Sequence, residues 1–218
     1  MQMKRACLGA VMAAMTVLGC QVAHPETVTN NDCGAGTDGK GLDAPTLTAH
    51  ASQRRDNGLL QQASSQYVGA GGGEFWSAAV CYKRALQLAP DSYDANLGIG
   101  VAYLGLARAQ QDDHAATRRS FVVAAKRALG HAYMVRQGPY EPVYYLAEVA
   151  VFEKDYARAK QLLDLLSQAD AKRGPVQALL GYLAEKTGDR TGAQTHYKAA
   201  VVEGGPIETL FYASGKVK

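Results

Sequence analysis

Apolar residues recur along this chain at helical spacing, and clusters of Gly, Pro and Asp interrupt them at intervals. The clearest stretch is FWSAAVCYKRALQLAPDSYDANLGIGVAY, residues 75–103, where Ala78, Tyr82 and Ala85 share one face of a helix. Pro90 cannot continue the helical hydrogen-bond ladder. Asp91 and Ser92 follow as N-cap candidates, and Gly98, Gly100, Ala102 and Tyr103 open the next apolar run. The stretch predicts a helix, a sharp break, and a second helix packed back on the first.

The same alternation extends in both directions. A helical pattern runs from about Thr46 to Tyr67, with Leu59, Leu60, Ala63 and Tyr67 on adjoining faces, and the glycine-rich run 69–73 ends it. A glycine-rich loop before a helix can cradle phosphate, but no strand precedes this one, no Lys-Ser/Thr follows it, and Glu74 repels an anion there. The helix opening near Tyr93 is expected to reach about Gln110, and Asp112-Asp113-His114 to form a turn. A further helix is expected over about 115–129 with Phe121, Ala124, Ala125 and Ala128 inward, and residues 130–138 to break the periodicity. From Tyr140 to about Arg173 the elements are a helix opened by Pro142, a Lys154-Asp155 turn, and a second helix carrying Tyr156, Ala159, Leu163 and Leu166. From Gly174 to about Glu203, Pro175 opens another pair carrying Gly181, Ala184, Gly188, Ala193, Tyr197 and Ala200. Ile207, Leu210 and Phe211 share one face of a short capping helix, and the tail SGKVK is expected to fray.

Phe75, Ala78, Tyr82, Ala85 and Pro90, followed by Gly100 and Tyr103, have the spacing of small, aromatic and Pro positions that marks the tetratricopeptide repeat, a helix–turn–helix unit about 34 residues long. The chain resembles that family over residues 46–203. The resemblance implies an all-α fold, a right-handed α-solenoid of about four units with a short C-terminal cap over residues 204–218. Ala147 and Gly181 hold equivalent places 34 residues apart, whereas Gly100 and Ala147 are 47 apart, so the second unit is enlarged. In this family the first helix of each unit lines a concave groove. Carried over, that groove comprises Leu97, Val101, Leu104, Glu141, Tyr144, Tyr145, Glu148, Phe152, Leu179, Tyr182, Glu185 and Lys186. Aromatic and apolar side chains with a few carboxylates suit an extended peptide or a helix; equally, Tyr144, Tyr145 and Tyr182 suit packing between repeats. The family's carboxylate clamp uses Lys and Asn where this chain has Leu97 and Val101, or Tyr144 and Glu148, so binding to chaperone tails is not implied.

The N-terminus changes the picture. Lys4 and Arg5 precede an apolar run, residues 6–19, too short for a membrane-spanning helix, which ends Val17-Leu18-Gly19-Cys20. This resembles a bacterial lipoprotein signal peptide. The resemblance implies removal of residues 1–19, acylation (palmitate included) of Cys20, and, with Gln21 rather than Asp next, an outer-membrane lipoprotein facing the periplasm. Residues 20–45 are poor in large apolar side chains and read as a disordered tether. Cys33 and Cys81 remain; in an oxidising compartment they form either a disulfide or two free thiols.

Composition narrows the function. The 218 residues are 47% hydrophobic and 20% charged with net charge +3, which falls to about +1 without Lys4 and Arg5, against a nucleic-acid surface built on bulk charge. The five histidines do not cluster with Cys or carboxylates at metal-ligand spacing, and no HExxH, GxSxG, Walker or EF-hand motif occurs. No catalytic residue, metal or cofactor is implied. The expectation is a non-catalytic scaffold for protein–protein interaction, in architecture closest to tetratricopeptide lipoproteins of pilus or secretion assembly. The alternative is an adaptor organising peptidoglycan-modifying enzymes at the cell envelope.

Overall fold

Turn residues and caps set the helix boundaries. The structure, a computed structural model, describes residues 33, 41–64, 69–110 and 114–203, and the regular structure among these is helical. Asp43 accepts from the Thr46 N–H at 2.8 Å, hydrogen bonding to the Thr46 side chain and then to its backbone lowers the Asp43 pKa, and α1 runs Ala44–Ser64. Gly71 follows with φ 76°, where a β-carbon would lie 2.5 Å from the Gly58 carbonyl oxygen, so the turn into α2 (Gly72–Leu88) requires glycine twice over. The chain leaves α2 before Pro90, as that residue dictates. Ser92 then caps α3 (Tyr93–Ala109) by accepting from the Ala95 N–H. Next come α4 (Ala115–Val135) and α5 (Tyr140–Phe152). Lys154 at φ 61° and the Asp155 cap lead into α6 (Tyr156–Leu163). The one-turn α7 (Gln168–Ala171) and α8 (Gly174–Lys186), with Pro175 in its first turn, precede Gly188 at φ 88° and α9 (Arg190–Glu203).

Each long helix packs on its sequence neighbour, and α1 also touches α3 as α3 touches α5. One cluster runs from Cys33 through α1–α6 into α8, including Phe75, Tyr82, Leu104, Tyr144, Leu163 and Leu179; a smaller one joins Ala178 of α8 to Ala193, Tyr197 and Ala200 of α9. Cys33 is bonded to Cys81 of α2, with both residues fully buried. Of the two alternatives left open by the sequence, the disulfide is the one present. Residue 33, assigned to the tether, is thereby part of the core.

Small residues sit where aromatic rings need room. A β-carbon on Gly98 would lie 2.1 Å from Cζ of Tyr82; one on Gly105 would lie 2.5 Å from the Phe75 ring, and one on Gly181 would lie 2.6 Å from the Tyr197 ring. Tyr82 cannot retreat, since it is fully buried and its hydroxyl bonds Ser52 across α1 at 2.9 Å. Gly98→Ala is therefore expected to lose about 2 kcal/mol net, overpacking outweighing the gain in helix propensity. Gly130→Ala is expected to gain about 0.5–1 kcal/mol, because nothing lies within 4 Å of its β-carbon position. Chemical denaturation of the two variants beside the wild type should give opposite signs.

Several expectations need correction. The helix expected to stop near Leu129 continues through Gly130 to Val135, because Ala132 is buried one turn beyond Leu129 and continues the packed stripe. That stripe is Val122, Ala125, Leu129 and Ala132, while Phe121, Ala124 and Ala128 are only half-buried at its border. Residues 130–135, expected to break the periodicity, are thus helical. On α1, Leu59 is buried and Leu60 exposed. Pro142 stands at the third residue of α5, where its missing N–H still belongs to the first turn. Cys20, Tyr67, Asp112, Asp113, Ile207, Leu210 and Phe211, with the segments 1–19 and 204–218, lie outside the described residues.

Candidate interaction surface

The residues expected to line a groove divide into two groups. Val101, Leu104, Tyr144, Tyr145, Glu148 and Leu179 are buried. For these the groove assignment gives way to a core one: α1 and α3 pack together, and the tyrosines of α5 lie among the core side chains. Tyr144 and Tyr145 meet edge-to-face with centroids 5.0 Å apart, and Tyr140 adjoins Tyr144 at 6.5 Å. Glu148, with no exposed surface, accepts from the Arg108 guanidinium of α3.

The second group keeps a face to solvent. Leu97, Glu141, Phe152 and Tyr182 are half-buried, while Glu185 and Lys186 are exposed. Tyr182 carries the Lys186 ammonium 5.1 Å above its ring. Glu185 accepts from the Tyr197 hydroxyl at 2.9 Å, and burial, with that bond and the carboxylate charge, raises the phenol pKa well above its ordinary value. The α8 end of the predicted groove is thus a small patch of ring, cation and carboxylate.

Two more cation–ring contacts tie helix starts to neighbouring turns. The Arg136 guanidinium lies 3.5 Å from the Tyr93 ring centroid, and that of Arg173 lies 4.3 Å from the Tyr140 centroid. Both arginines follow the end of one helix and clamp the first residue of another. They join the starts of α3 and α5 to the ends of neighbouring helices.

His196, next to Tyr197 on α9, is half-buried with Nδ1 2.8 Å from Gln177 Oε1. Burial pushes its pKa below the ordinary value, Asp189 pulls against that shift, and Lys160 adds to it. The folded state therefore favours the neutral ring. Its contribution to stability is present above the unfolded value of about 6.5 and is lost as pH falls from there through the lowered folded value. Melting temperatures of wild type and His196→Gln, which keeps a polar group toward Gln177, should diverge above about pH 6.5 and converge below it. Parallel curves would remove His196 as the cause.

Among the described residues no group of three or more His, Cys, Asp or Glu converges to hold a metal ion, and no helix is long and apolar enough to cross a membrane. Arg118, Arg119, Lys126 and Arg127 punctuate α4, and Gly130 lies within that helix. No family model, curated protein or solved structure matches the chain.

Proposed function

We propose that this chain is a non-catalytic tetratricopeptide-type scaffold, a right-handed α-solenoid of about four helix pairs, held at the outer membrane by lipid on Cys20 and presenting α-helical surfaces to protein partners in the periplasm. The observation that carries the reading is the meeting of small and aromatic side chains across successive helices: Tyr82 fills the space at Gly98, Phe75 that at Gly105, and Tyr197 that at Gly181. Phe75, Tyr82, Gly181 and Tyr197 are among the residues on which the resemblance rests, Gly98 and Gly105 are not, and packing of this kind suits an architecture whose outward surfaces bind other chains. The surviving part of the groove, Leu97, Glu141, Phe152, Tyr182, Glu185 and Lys186, suits an extended or helical protein segment. Assembly of a pilus or secretion machine is the setting this build favours.

Two measurements test it. Palmitate labelling in a Gram-negative host should mark the wild type and not Cys20→Ala, and that variant should leave the membrane fraction; labelling of both sinks the anchor. Crosslinked pull-down from the native envelope should capture components of a surface machine. Tyr182→Ala/Lys186→Glu should lose them, since it alters exposed positions and leaves the buried tyrosines intact. Capture of peptidoglycan enzymes in their place favours the adaptor reading, and identical capture by both proteins places binding away from the groove.

A further inference from the structure

A second surface lies on the outward face of α4 and is independent of the groove. Helical periodicity puts Ala116, Val123, Gly130 and Met134 along one line there, with Arg119 and Lys126 on one side and Arg127 on the other. Val123 is 44% and Met134 73% exposed. Between them lies a groove of about 460 Å³ lined by Val123, Lys126, Arg127, Gly130, His131 and Met134. All six belong to α4, and the hollow is shallow and open, with Gly130 lying in it without a side chain.

Gly130 is anomalous in its own fold. Gly98, Gly100, Gly105 and Gly181 each have a side chain within 2.6 Å of the β-carbon position, so internal packing explains them. Gly130 has nothing within 4 Å and no positive φ, yet sits in the middle of a 21-residue helix, where glycine costs about 0.5–1 kcal/mol relative to alanine. Among the described residues no contact at Gly130 offsets that cost.

We propose that this face of α4 docks an acidic amphipathic helix of a partner protein, a large apolar side chain entering the notch at Gly130 and carboxylates pairing with Arg119 and Arg127. The geometry is that of a hole for a helical knob: Arg127, Gly130, His131 and Met134 stand at i, i+3, i+4 and i+7, and Val123, Lys126, Arg127 and Gly130 form the hole before it. Charge selects the partner's sign. Residues 115–136 contain Arg118, Arg119, Lys126, Arg127 and Arg136 and no carboxylate. Lys126 reaches Glu153 at 2.9 Å, His131 reaches Asp91 at 3.0 Å and Arg136 approaches Asp94, whereas no described carboxylate pairs with Arg119 or Arg127. A second copy of α4 would set these cations against themselves. A lipid surface would favour protruding apolar side chains over a notch.

The test uses the soluble full-length Cys20→Ala chain and two labelled helical peptides of about three heptads, with Leu at the a and d positions and either Glu or Lys at e and g. Fluorescence anisotropy should show the Glu peptide binding at least about tenfold tighter than the Lys peptide. Gly130→Leu fills the notch without an internal clash. It should keep or raise the melting temperature while weakening the Glu peptide at least about tenfold. Arg119→Glu/Arg127→Glu should reverse the preference. Absence of binding, equal binding of both peptides, or a Gly130→Leu variant that binds as the wild type does would overturn the proposal. So would capture by phosphatidylglycerol vesicles without peptide binding, which assigns the face to lipid, or a dimer that Gly130→Leu dissociates, which assigns it to self-association.

Discussion

Arg108→Ala is expected to destabilise the fold by about 3–5 kcal/mol, although Arg108 lies at neither end of the core. The reason is the partner it leaves. Glu148 has no exposed surface, and the Arg108 guanidinium, itself 15% exposed, donates to its carboxylate across the α3–α5 contact. Removing the guanidinium takes a counter-charge from a carboxylate that has no exposed surface, and breaking one side of a buried pair costs more than the pair itself contributes to stability. Replacing both partners by apolar residues of similar length removes the charge with its counter-charge. Arg108→Met/Glu148→Met should therefore recover most of the loss. Urea unfolding of the two variants and the wild type decides it: a single variant within about 1 kcal/mol of wild type, or a double variant no better than the single, would show that Glu148 does not depend on Arg108.

Glu148 also shows where sequence reasoning stopped short. Its spacing from Glu141, Tyr144 and Tyr145 identified one helix, and α5 forms there. A carboxylate beside tyrosines is also the composition of a binding groove, and only the placement of Arg108, forty residues earlier in the chain, turns it into an internal pair. Pairing across helices has no local signature. The helix ends were legible because their signals are local: the Ser92 cap, the Asp155 cap and Pro175 each act within one turn of themselves. The small–aromatic contacts were legible only in part: the spacing picked out Tyr82, Gly100 and Gly181, whereas the glycines that meet Tyr82 and Phe75 are Gly98 and Gly105, and Gly100 meets Leu129. At Gly130 the local rule misled. Glycine in a helical pattern signals a stop unless burial continues beyond it, and Leu129 with Ala132 supplies that burial. In the groove, Val101 and Leu104 could not be told from exposed apolar residues by periodicity, because α3 is apolar around most of its circumference and is covered by α1, α4 and α5.

Opening the Cys33–Cys81 bond is expected to cost roughly 4 kcal/mol and to lower the melting temperature by roughly 10 °C. The two cysteines are 48 residues apart in sequence, so the bond removes a large loop-closure entropy from the unfolded chain, and on the chain-entropy account the cost follows that separation. Both cysteines have no exposed surface, so a thiol reductant should act on the native protein only as fast as the region around α2 opens; reduction should be slow until denaturant is added and quick thereafter. Thermal melts of the oxidised wild type, the reduced wild type and Cys33→Ser measure the effect, with the last two expected to agree. A melting temperature unchanged by reduction would mean that residue 33 contributes no constraint. The bond also has a mechanical consequence for the proposed lipoprotein. With the bridge closed, Cys20 is thirteen chain steps from Cys33 in the core, a reach of at most about 45 Å. With it open, the first packed element becomes α1 at Ala44, and the limit rises to about 80 Å. Crosslinking from the folded domain to partners at the membrane should therefore become less selective in Cys33→Ser than in the wild type at temperatures where both are folded. An unchanged crosslinking pattern would show that the bridge stabilises the fold without setting the working distance of the scaffold.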